Sequence, residues 1–124
     1  MDAVTKALQS RKRGGRMTLN NQIELIADMY GYGAQSEILI EEMAELTQAI
    51  LHRKRGRTQA LDEIIEEIAD VEIMLKQIKY LLDIPDIEIH NVKAYKVERQ
   101  LIRIGRAEDA KSEAEEKEIS NEQI

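Results

Sequence analysis

Two short acidic motifs constrain this chain more than anything else in it: Glu42-Met-Ala-Glu45 and Glu67-Ile-Ala-Asp70. In each, two carboxylates stand three residues apart, about one helical turn, so both can face a single point. Each motif is set in a run of apolar residues, where a merely solvated acid is out of place. Four carboxylates converging among packed helices would repel one another unless a cation neutralised them. All-oxygen ligation of this kind suits Mg²⁺, with Mn²⁺ as a substitute, and protein-bound Mg²⁺ commonly also holds substrate phosphates. A helical, metal-dependent enzyme acting on a phosphorylated substrate is the first expectation.

The hydrophobic pattern is helical almost throughout. Thr18 or Asn20 can cap a first helix carrying Leu19, Ile23, Ile26 and Tyr30, which Gly31-Tyr32-Gly33 interrupts. A second helix is predicted from about Gln35 to Arg55, stopping at Gly56, with Arg53, Lys54 and Arg55 favourable near its C-terminal dipole. Thr58, followed by Asp62 and Glu63, opens a third that runs to about Leu82. Pro85 suits the first turn of a fourth, ending near Gly105 with a buried stripe of Ala94, Val97, Leu101 and Ile104. The connections are short, so neighbouring helices should be antiparallel. The expected fold is an all-α antiparallel four-helix bundle, completed by oligomerisation as a homodimer or homotetramer.

Composition fits this and excludes several classes. The 124 residues suggest one domain. With no Phe or Trp, the core must come from Ile, Leu, Val, Met and Ala, which favours helix on helix. The absence of cysteine rules out disulfides and thiolate metal sites. No apolar run approaches the ~18 residues of a membrane span, and no hydrophobic block follows the basic N-terminus. A cytoplasmic protein with no membrane partner is expected. A net charge of −6 argues against nucleic acid as the main partner, although residues 1–17 form a basic arm, read as a flexible, solvated terminus. Residues 106–124 are an acidic tail, expected to be a frayed helix or disordered, which leaves 18–105 as the folded domain.

On a helical projection of about 100° per residue, Ile38, Glu42, Leu46 and Ala49 share one arc, with Glu45 at its edge. Ile64, Glu67, Val71, Met74 and Ile78 share another, with Asp70 at its margin. Glu63, Glu66 and Glu72 can point outward, and Glu41 lies further round. Either motif alone is unremarkable, because Glu is a strong helix former. Two copies on consecutive helices, both intruding on apolar arcs, point to a site.

The run Glu41-Glu42-Met-Ala-Glu45-Leu46, a basic turn, then Glu66-Glu67-Ile-Ala-Asp70-Val71 resembles the all-α nucleotide pyrophosphohydrolases of the MazG-like superfamily, whose signature is E-x-x-E followed by E-x-x-D. The resemblance covers roughly residues 23–104 and extends to Tyr30-Gly31, Gln35 and Lys96-Val-Glu-Arg99, similar to the family's downstream K-x-x-R. It implies hydrolysis of a nucleoside triphosphate to the monophosphate and pyrophosphate, with Glu42, Glu45, Glu67 and Asp70 holding Mg²⁺. A motif carboxylate, Glu41 or Glu45, would accept the proton of the attacking water.

Basic and polar side chains should complete such a site. Val92, Lys96, Arg99 and Arg103 form one stripe, and Lys96 and Arg99 are candidates for phosphate oxygens. Lys54 is a further candidate, diluted by Arg53, Arg55 and Arg57; Gln35 and Asn91 are candidates for base or ribose. His52 lacks ligand-like spacing, and His90 falls on the expected buried stripe, as a core histidine. The rival expectation is a non-catalytic helical adaptor, or a nucleic-acid-associated protein using the basic arm.

Overall fold

A computed structural model describes residues 16–122, together with Thr5, Lys6 and Gln9. The basic arm expected over 1–17 otherwise lies outside the described residues. The chain is all-helical: three long helices, α1 (Leu19–Lys54), α2 (Ala60–Leu81) and α3 (Asp86–Glu122), account for the described fold. It divides into two compact units, Met1–Pro85 and Asp86–Ile124.

In the first unit α1 begins at Thr18, whose extended backbone and side-chain oxygen, accepting from Asn21 N–H at 3.1 Å, cap the helix. The expected interruption at Gly31-Tyr32-Gly33 narrows to one residue. Gly31 alone is non-helical, at φ 82°, ψ 169°, a region essentially reserved for glycine. The two expected helices therefore run as one kinked helix. Its stop is as expected. Gly56 takes φ 72°, and Gly56 N–H and Arg57 N–H donate to the carbonyls of Arg53 and His52 at 3.0 and 3.2 Å, a Schellman closure.

α2 does not start on Thr58. Gln59 is the cap, in the left-handed conformation at φ 71°, and its side chain caps nothing; Asp62 and Glu63 in the first turn supply the negative charge that end prefers. Its C-terminus closes like that of α1, with Asp83 at φ 54° where glycine would be usual, and Ile84 N–H donating to Lys79 C=O at 2.9 Å.

Three cross-contacts fix α1 and α2 as an antiparallel hairpin. Tyr80 O–H donates to Asp28 at 2.8 Å, Gln35 Nε2 donates to Gln77 Oε1 at 2.6 Å, and His52 pairs with Glu63 at 2.8 Å. The seam is narrow: Ile23, Ala27, Gln35 and Ala49 of α1 are buried, with Ala60, Met74 and Gln77 of α2. Of the stripe expected on the first helix, only Ile23 is buried; Leu19, Ile26 and Tyr30 are exposed. Their arc loses the seam to Ile23 and Ala27, which lie a turn apart on the face that meets α2.

In the second unit, α3 does not end near Gly105. It continues to Glu122, so of the two expectations for the tail, a solvated helix or disorder, the helix is the one found as far as that residue. Gly105 has no positive φ to stop the helix, no proline follows, and Ala, Glu and Lys dominate beyond it. One internal glycine costs only about 1 kcal/mol against such propensity. The stripe of Ala94, Val97, Leu101 and Ile104 is exposed, Leu101 to 63%, and His90 is exposed rather than core. No residue of α3 is buried.

Candidate metal centre

Midway along the hairpin, one carboxylate oxygen from each of Glu42, Glu67 and Asp70 lies within 4.8 Å of the others. The helices bring them there by register. Gln35 and Glu42 are seven residues apart on α1, as are Asp70 and Gln77 on α2, so the acids sit two turns from the amide pair on the same seam. All three acids are half-buried, whereas Glu45 is exposed at the edge of the group.

Their electrostatics follow from this crowding. Glu42 is raised from an ordinary 4.5 to about 7, first by burial, then by the charges of Asp70 and Glu45 and by hydrogen bonding to Glu67. Glu67 is also raised, first by burial and then by Glu45. Burial and neighbouring carboxylates thus both disfavour charge on Glu42 and on Glu67. Glu45 thus acts on both acids although it stands outside the tight group.

Three buried side-chain atoms among the described residues lack a hydrogen-bond partner: Gln35 Oε1, Glu42 Oε2 and Glu67 Oε2. All three are acceptors. A buried acceptor without a donor costs roughly 1–3 kcal/mol, more when charged. A hard cation satisfies carboxylate oxygens without needing a donor, and the donor set is all oxygen, as Mg²⁺ or Mn²⁺ requires. The residues present fit such an ion.

Beside the cluster runs a groove of about 360 Å³ lined by Glu45, Gln48, Ala49 and His52 of α1 and by Glu63 and Glu67 of α2. Glu45 and Glu67 belong to its wall and to the acidic group alike. At its far end His52 Nδ1 meets Glu63 Oε2. Glu63 therefore does not simply point outward, as its place on the helical projection suggested; Glu66 and Glu72 are exposed.

The remaining sequence candidates divide between the two units. Glu41 is exposed and outside the cluster, and Lys54 is exposed in the last turn of α1. Gln35 is 3% exposed and held by Gln77. Asn91, Lys96 and Arg99 are exposed on α3, with the Arg99 guanidinium 5.7 Å from the centre of the Tyr95 ring.

Sequence reasoning missed Gln77 and the His52–Glu63 pair. Gln77 had a readable sign, since it lies seven residues beyond Asp70 and so on the same face. The His52–Glu63 pair had none, because it crosses a turn and follows no helical period. No protein-family model, no curated protein and no solved structure matches the chain.

Proposed function

We propose that the chain is a Mg²⁺-dependent nucleoside triphosphate pyrophosphohydrolase of the MazG-like kind, releasing a nucleoside monophosphate and pyrophosphate. The observation that carries this reading is the convergence of Glu42, Glu67 and Asp70 within 4.8 Å, with two buried carboxylate oxygens lacking any donor. In this reading Glu42, Glu67 and Asp70 hold the metal and Glu45 completes the set from its edge. A cation held by these residues would neutralise phosphate charge and supply an activated water.

The protein's own groups do the rest. Glu45 or Glu41, exposed on the same turn of α1, accepts the proton of that water. Lys54, exposed in the last turn of α1, offers a cationic donor to phosphate oxygens. The reading includes a cytoplasmic location; among the described residues, no helix is long and apolar enough to cross a membrane. It also includes self-association into a four-helix bundle as a homodimer or homotetramer, supported by the many large apolar side chains left exposed, among them Met29, Ile40, Ile65, Val97 and Leu101.

A screen of the purified chain against the common NTPs and dNTPs with Mg²⁺, scoring pyrophosphate release, tests the reading. Turnover of at least one nucleotide is expected. Silence across the whole panel would remove it.

A further inference from the structure

We infer that the hairpin docks a second copy of itself through the broad face opposite its acidic centre, closing a four-helix bundle about a two-fold axis parallel to the helices. This sharpens the self-association in the reading above by naming the surface, and it stands without the chemistry.

The face is written as a repeat. Along α2, positions 61, 65, 68, 72, 75, 79 and 82 follow the alternating four- and three-residue spacing of a packing seam. Leu61, Ile65, Ile68, Leu75 and Leu82 hold five of them, and all five are exposed, by 42–59%. Glu72 and Lys79 hold the other two. This is not the seam with α1, where Ala60, Met74 and Gln77 are buried. Past Gly31, α1 repeats the spacing at 36, 40, 43, 47 and 50, where Ile40, Met43 and Ile50 are exposed by 43–63%.

Helical geometry puts both stripes on one side. At about 100° per residue, the α1 stripe lies roughly 80–160° round from Glu42, and the α2 stripe roughly 60–160° round from Glu67, in the same rotational sense. Antiparallel helices turned in the same sense present the same side of their layer. Glu45 and Asp70 lie roughly 60° the other way, so acids and apolar stripes occupy opposite sides. The Gln35–Gln77 and His52–Glu63 bonds fix the stagger, which sets Met43 beside Ile68 and Ile50 beside Leu61.

Area and charge choose the occupant. Eight aliphatic side chains, each about half exposed, leave on the order of several hundred Å² of joined apolar surface, which monomers rarely keep in water. With the half-buried Leu39, Leu46, Ile64 and Val71 between the stripes, the face approaches the ~800 Å² that each partner gives to a stable interface. A two-fold copy offers the same spacing and length, so the patch is its own complement. Were the axis to cross the helices, α2 would lie on α2 with Glu72, the middle of the seven positions, against its own twin. An axis along the helices instead sets α1 of one copy against α2 of the other. Glu72 then comes level with Ile40 rather than with itself.

Light scattering and circular dichroism of the full chain supply the test, with two exposed isoleucines of α2 as a matched pair. Wild type should give at least twice 14.3 kDa. Ile68→Glu should raise the dimer dissociation constant at least ~10²-fold with helicity retained, because the two-fold buries its charge twice. Ile73→Glu, exposed but on the acidic side, should leave the mass unchanged. Should Ile68→Glu fail to fold, cysteine decides, since the chain has none of its own. Met43→Cys and Ile68→Cys chains, mixed and oxidised, should join in a disulfide that neither forms alone. A monomeric wild type, an Ile68→Glu of unchanged mass, or a mixture that cross-links no better than its components would each overturn the interface. Those are also the results expected if α3 of the same chain covered the face. Nucleotide hydrolysis by a monomer would sink the interface alone, and a cross-linked dimer inert to every nucleotide would sink the hydrolase reading alone.

Discussion

Asp70 is an acid whose charge can be removed with little disturbance to packing, because asparagine keeps its size and the residue is only half-buried. Asp70→Asn should leave helicity intact and lower turnover by at least ~10²-fold, since altered metal surroundings alone cost 10–100-fold. Glu72→Gln, exposed on the far side of α2, should be nearly silent in the same assay. Glu42 makes a sharper case. Its carboxyl is raised to about 7 in the fold against 4.5 in an open chain, so the native state holds a proton that the unfolded state has released. Cation-free stability must therefore fall as pH rises from about 4.5 through 7. Cation affinity must climb over the same range, because the metal has to displace that proton. Melting in EDTA across pH, and calorimetry in buffers of different ionisation enthalpy, check both halves. Glu42→Gln imitates the protonated acid: a higher melting temperature in EDTA is expected, with metal binding lost. Glu42, Glu67 and Asp70 were legible because an acid inside an apolar arc needs a reason to be there. His52 and Glu63 were not, since their meeting depends on how Gly56 folds the chain back.

Among the elements, α1 owes its kink to one backbone conformation. A Cβ at Gly31 would meet nothing within 4 Å, so the cost of Gly31→Ala is purely conformational, about 1–3 kcal/mol by chemical denaturation. The amide pair between the helices supplies a different test. Gln77→Leu strands the Gln35 amide in a buried seam and should cost about 1–3 kcal/mol, whereas Gln35→Leu/Gln77→Leu should recover most of it. Equal destabilisation by single and double variants would show that the pair contributes packing rather than hydrogen bonding. The same elements explain what could be foreseen. Gly56 announces its turn because glycine is the usual residue at positive φ, while Asp83 and Gln59 adopt that conformation without advertising it. Gly105 misled for the converse reason: glycine marks a helix end only where the backbone turns left-handed, and here it does not.

Taken as one molecule, the chain buries little. Among the described residues, Ile23 and Met74 are the only large apolar ones that are buried, while Leu101, Ile40 and Leu19 stand more than half exposed. Periodicity revealed the stripes but could not say what would cover them, which is why Val97 and Leu101 were expected in a core they do not reach. If self-association covers them, light scattering should give a mass above the 14.3 kDa of one chain, and Leu101→Glu should lower it. The seam itself behaves otherwise. Neither amide of the Gln35–Gln77 pair gains or loses a proton in ordinary water, so that contact between the helices is indifferent to acidity. The carboxylates one heptad away are not. Mild acid should therefore unload the centre while the hairpin stays in register, and inactivation by acid should reverse on neutralisation without refolding.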